Sequence, residues 1–115
     1  MTLKKQLIPE SVKQEVNKII DHYNLTVYRK YKYIKFIAEF RNNFLYLKRK
    51  EFEGVISPIA RLTYTGRMDK WKFAIYKWTL DGYDPDDWFF PGCEFVDGTI
   101  MGALKCGDEA YPPEY

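Results

Sequence analysis

Histidine is almost missing from this chain, and cysteine is scarce. Its 115 residues include one histidine, His22, and two cysteines, Cys93 and Cys106. Neither cysteine has a CxxC partner, and His22 stands far from both. A structural zinc centre needs four such ligands at one point, so none is expected within one chain, and no metal or other cofactor is expected. No apolar run approaches the ~20 residues of a membrane-spanning helix. The opening residues MTLKKQLIP carry two lysines but no apolar stretch of signal-peptide length. With no export signal, two reduced thiols in a cytoplasmic protein are the expected state, with no membrane partner. Neither sign of charge dominates, because the net charge is +2. The whole molecule therefore exerts little pull on nucleic acid or anionic lipid, and any basic effect must come from a local patch.

Motifs of assigned chemistry are missing too. The chain has no GxSxG, HExxH, P-loop or GxGxxG pattern, and no RNP-like segment. The acidic run Asp81, Asp84, Asp86 and Asp87 lacks the fixed intervals of an EF-hand loop, and fits a solvated turn in which Asp side chains accept from local N–H groups. An enzyme would have to use Cys93 or the Asp81–Asp87 carboxylates. Cys93 needs a base, and only His22 is on offer. Cys106, on a C-terminal helical stretch, reads as a core filler. The chain therefore reads as non-enzymatic.

Aromatic residues are plentiful, at 18% of the chain, with ten Tyr, eight Phe and three Trp. They concentrate between Tyr31 and Thr79, where four runs alternate apolar with polar residues or nearly so. Tyr31 to Phe40, Phe44 to Lys50, Ile59 to Tyr64 and Trp71 to Thr79 read as successive strands. Arg41-Asn42-Asn43 supplies a turn, since Asn tolerates left-handed backbone angles. Pro58 limits the start of the third strand. Ahead of the strands, Val12, Val16, Ile19, Ile20 and Tyr23 recur at spacings of three and four, which predicts a helix from about Pro9 to near Asn24. Residues 1 to 9 read as a loose leader. After the strands come an acidic turn region, the aromatic segment Trp88-Phe89-Phe90, and a helix start at Asp97-Gly98-Thr99. The length suits one domain. The fold class expected is α+β: an N-terminal helix, a four-stranded antiparallel meander and a C-terminal helix.

Strand alternation divides the sheet into two faces. If the first helix covers the face with Phe36 and Leu47, the other face carries Tyr33, Lys35, Tyr46, Lys48, Lys50, Arg61, Lys72 and Tyr76. Rings interleaved with cations on an open sheet are how proteins hold unpaired bases and track phosphates. The competing readings are plain solvated alternation, or tyrosines covered by a neighbouring subunit or the C-terminal helix. Arg49 does not join a basic cluster with Lys48 and Lys50, because alternation sends it to the opposite face. The expected function is a small binding or assembly module, with a homodimer through exposed aromatics such as Trp88-Phe89-Phe90 as one form. Single-stranded nucleic-acid binding is the alternative.

Five segments, FRNNFLYLKRKEF (40–52), ARLTYTG (60–66), WKFAIYKW (71–78), YDPDDWFFPG (83–92) and GTIMGALKCGDEAYP (98–112), resemble small prokaryotic proteins of uncharacterised function. Together they make up somewhat under half of the chain. The resemblance implies a self-contained domain in a cytoplasmic protein and transfers no catalytic residue.

Overall fold

The apolar stripe of the first helix decides where everything else sits. The computed structural model describes residues 7–113. Helix α1 runs Glu10–Val27 and buries Val16, Ile20 and Tyr23. Pro9 caps it in extended backbone, and its carbonyl accepts from the N–H groups of Val12 and Lys13. Of the expected loose leader, the first six residues lie outside the described ones. Ile8 is buried in the core, and its N–H reaches the carbonyl of Asn42.

Five strands follow as a meander: β1 (Lys35–Arg41), β2 (Phe44–Lys50), β3 (Ile56–Thr63), β4 (Lys72–Lys77) and β5 (Gly82–Asp84). They pair antiparallel in sequence order. Helix α2, Ile100–Ala110, closes the chain. The α+β reading holds, with five strands in place of four. The fifth was hidden because it is three residues long and begins at glycine. It forms because the chain turns back at Trp78–Asp81, with Asp81 in left-handed backbone at φ 46°.

Other boundaries shift for local reasons. Helix α1 runs on past Asn24 to Val27. Residues 28–34 make turns, closed by the Tyr31 N–H on the Tyr28 carbonyl and the Ile34 N–H on the Tyr31 carbonyl. The first strand therefore begins at Lys35 and not at Tyr31. Strand β3 starts before Pro58, at Ile56. The proline is tolerated because β4 pairs only with Ala60 to Thr63, so the N–H that Pro58 lacks has no partner to miss on that side. A register shift between Leu47 and Lys48 leaves Ile59 without a Cα partner, and both Ile59 and Ala60 are buried.

Both helices lie on one face of the sheet. Tyr23 of α1 meets the Phe36 ring edge-on, with centroids 5.7 Å apart. Asn24 stitches the helix to the outer edge of β1: its Oδ1 accepts from the Phe36 N–H at 2.8 Å, and its Nδ2 donates to the Phe36 carbonyl at 3.1 Å. The amide thus stands where a further strand would pair, which blunts that edge. Thr99 caps α2 by accepting from the Gly102 N–H. Two glycines weaken α2 on propensity alone, and its close approach to its neighbours explains them. A Cβ on Gly102 would stand 2.3 Å from the Phe95 carbonyl oxygen, and one on Gly107 2.7 Å from Ile59 Cγ2 and 3.3 Å from Phe36 Cζ.

Helix propensity and packing therefore oppose each other at position 107. Gly→Ala gains about 1 kcal/mol of propensity, whereas overpacking a filled core costs about 1–3 kcal/mol. Gly107→Ala is expected to lower the urea midpoint without changing the slope of the transition. A raised midpoint would show that α2 does not lie this close to β1 and β3.

Candidate functional site

The face away from the helices carries the charge pattern that the alternation predicts. Cross-strand register puts Lys35 opposite Lys50, Glu39 opposite Tyr46, Tyr46 opposite Arg61, and Arg61 opposite Ala74. Lys72 and Tyr76 share that parity on β4, and Tyr76 lies opposite Tyr83 on β5. Seven of the eight residues expected there are therefore on one face. Tyr33 is not among them. It lies in the turn before β1, where its ring meets Tyr31 and Phe52. It misses the face because the strand starts at Lys35, four residues later than the aromatic run from Tyr31 suggests.

The rings on this face form a continuous row. Phe44 contacts Tyr46, Tyr46 contacts Tyr83, Tyr83 contacts Tyr76, and Tyr76 contacts Trp78, with centroids 5.0–6.1 Å apart. All four contacts are tilted or edge-on, so the rings support one another instead of lying flat. Tyr76 is buried. Its hydroxyl donates to the Asp81 carboxylate, which, ahead of burial, pushes the phenol up to about 12. Phe44, Tyr83 and Trp78 were not among the expected residues. Phe44 shares the parity of Tyr46, so alternation alone places it on this face, whereas Tyr83 joins it through β5, a strand the sequence pattern does not show.

Arg61 sits inside this row. Its guanidinium carbon lies 4.8 Å from the centre of the Phe44 ring and 5.6 Å from that of Tyr83. Its Nε is buried with no hydrogen-bond partner, and no carboxylate pairs with it among the described residues. By contrast, Lys48 donates to Glu39 at 2.6 Å, and Arg41 holds the same carboxylate at 3.1 Å. The Lys48 hydrogen bond, foremost, lowers the Glu39 carboxyl below its ordinary value. Along β1 to β4 this face carries six cations, Lys35, Arg41, Lys48, Lys50, Arg61 and Lys72, against the single carboxylate Glu39. A shallow pocket of about 210 Å³ lies among Glu39, Arg41, Tyr46, Lys48 and Tyr83.

Arg49 points the other way, as alternation requires, and is only 1% exposed. Its Nε and Nη2 donate to Glu51 at 2.8 and 2.6 Å, and its Nη1 donates to Asp108 at 2.8 Å. Nη2 also reaches the Tyr111 carbonyl. The hydroxyls of Tyr23 and Tyr28 both donate to Asp108. Burial first, then Asp108, pushes the Tyr28 phenol above its ordinary value. Each nitrogen of the guanidinium is thus engaged, which suits holding elements together more than meeting a ligand.

Three of the carboxylates an enzyme would have to use already have partners. Asp84 and Asp87 both pair with Lys77, and Asp81 with Tyr76. The Lys77 hydrogen bond is the main reason the Asp87 carboxyl falls below its ordinary range. Among the described residues no group of three or more His, Cys, Asp and Glu could hold a metal ion, and no helix is long and apolar enough to cross a membrane. Of the aromatic segment, Phe90 stacks on Phe73 with centroids 6.0 Å apart, while Phe89 is 95% exposed. No family model matches the chain, and no curated protein or solved structure matches it either.

The two thiols differ in setting. Cys93 is half-buried in a short 3-10 turn, and Cys106 is buried on α2, where desolvation pushes its thiol up to about 12. The thiolate is the reactive form. In the native protein near pH 8, a disulfide reagent should label Cys93 first and reach Cys106 only on unfolding. Two fast, equal reactions would contradict this placement.

Proposed function

We propose that this protein is a non-enzymatic binding module that takes single-stranded nucleic acid on its open sheet face. The supporting observation is the charge of that face, six cations against the single carboxylate Glu39 along β1 to β4, with Arg61 among them held against two rings and paired with no carboxylate among the described residues. A phosphate oxygen is a strong acceptor for guanidinium and ammonium groups. The excess of cations along the same face gives a polyanion a continuous track. The row of rings adds apolar edges and faces for bases.

A second reading, assembly into a homodimer or larger form, draws on one different observation. Phe89 is almost fully exposed on a loop held by the Asp87 carboxylate, which accepts from the Phe89 N–H at 3.0 Å. A ring presented this way suits contact with another protein surface.

Fluorescence anisotropy with labelled oligothymidylate and oligouridylate tests the first reading. Binding should weaken steeply with salt, with each neutralised phosphate adding about −0.7 to the log–log slope. Arg61→Ala should weaken binding about tenfold or more, and Lys50→Ala should flatten the slope by about one phosphate. No binding at about 25 mM salt would overturn the proposal, because electrostatic contacts are strongest there. Light scattering of the free protein at a mass above one chain would favour the second reading.

A further inference from the structure

We infer, resting on the nucleic-acid reading above, that the bound strand stacks its bases at one end of the open face, on Tyr33 and Phe52. A base needs an open ring face to lie on. The row of rings on the face itself offers little of that. Its contacts are tilted or edge-on, Tyr76 is buried, and Phe44, Tyr46 and Tyr83 are half-buried. Trp78, the exposed member of the row, opens the acidic turn: its carbonyl accepts from the Asp81 N–H, and the carboxylates of that turn repel phosphate. Exposed rings beside cations stand at the other end. Phe52 is 59% exposed and Tyr33 40%.

Register brings these two rings together. Lys35 opens β1 and stands opposite Lys50, which closes β2. Tyr33 and Phe52 are each two residues further out, at the next position of the same parity. Their rings meet edge-on, with centroids 5.9 Å apart. The alternation continues across this junction, since Ile34 and Phe36 are buried while Tyr33 and Lys35 are exposed. On the third strand Ile56 lies opposite Lys50 and is exposed as well. Neither Lys35 nor Lys50 pairs with a carboxylate among the described residues. The turn before β1 adds Arg29, Lys30 and Lys32, all exposed. Against these cations the loop after β2 sets only Glu53, because Glu51 is taken by Arg49. Rings beside cations give a nucleotide both of its contacts, a flat surface for the base and positive charge for the phosphate.

Oligothymidylate and an abasic strand of the same length are the probes, since both carry the phosphates and only one carries bases. Wild type should bind oligothymidylate about fivefold more tightly than the abasic strand, or better. Phe52→Leu keeps an apolar side chain without a ring, on an exposed loop. It should bring that ratio close to one and leave the salt slope unchanged, because the slope counts phosphates. Tyr33→Leu should act in the same direction, and it decides the matter should Phe52→Leu fail to fold. A wild-type ratio near one, or a ratio that both ring variants preserve, overturns the stacking site and leaves nucleic-acid binding standing. Binding of neither strand at about 25 mM salt, where electrostatic contacts are strongest, overturns both. A change from dimer to monomer in Phe52→Leu, with oligonucleotide binding untouched, gives the patch to a second copy and also overturns the stacking site.

Discussion

A single buried guanidinium ties this fold together. Arg49 leaves the middle of the sheet on its covered side and meets Glu51, Asp108 and the Tyr111 carbonyl. Asp108 in turn accepts from Tyr23 on α1 and Tyr28 just after it. The first helix, the turn that follows it, a central strand and the last helix therefore meet around one positive charge. Such a junction is weak evidence of net stability, because an apolar replacement of similar shape often does as well. Its effect is directional: an Arg buried beside Phe36 is tolerable only with its carboxylates in place, so α2 has to arrive with Asp108 facing inward. The close seat of Gly107 on Ile59 and Phe36 sets the same position from the apolar side.

With both helices committed to that face, the other must satisfy its polar groups unaided. It does so partly. Glu39 serves Lys48 and Arg41, and Asp81 serves Tyr76. Lys35 and Lys50 stand directly opposite each other, an arrangement that costs a little stability in a sheet. Arg61 has only ring faces. These are the cations on which the proposed polyanion partner would act.

Much of this was legible in the sequence, and the gaps have physical causes. Period-two alternation fixed which residues of β1 to β4 share a face, and it placed Arg49 apart from Lys48 and Lys50. The three-and-four spacing located α1, and Thr99 marked the start of α2. What pattern could not reach were encounters between distant residues. Nothing near Arg49 announces that Asp108, 59 positions later, will meet it. Strand β5 was invisible because Gly82-Tyr83-Asp84 looks like a turn until β4 lies beside it. Pro58 pointed to a strand start because its tolerance depends on how far β4 extends. Tyr33 was assigned by parity to a strand that begins two residues later.

A double-mutant cycle between Arg49 and Asp108 tests the junction most directly. Stability of wild type, Arg49→Met, Asp108→Asn and the double variant would be read from urea unfolding. If the buried pair holds the helices to one face, the two changes should be strongly non-additive, with a coupling of about 1–3 kcal/mol. Additivity within about 0.3 kcal/mol would mean that the two side chains do not act together, and the common anchor of the helices would be lost.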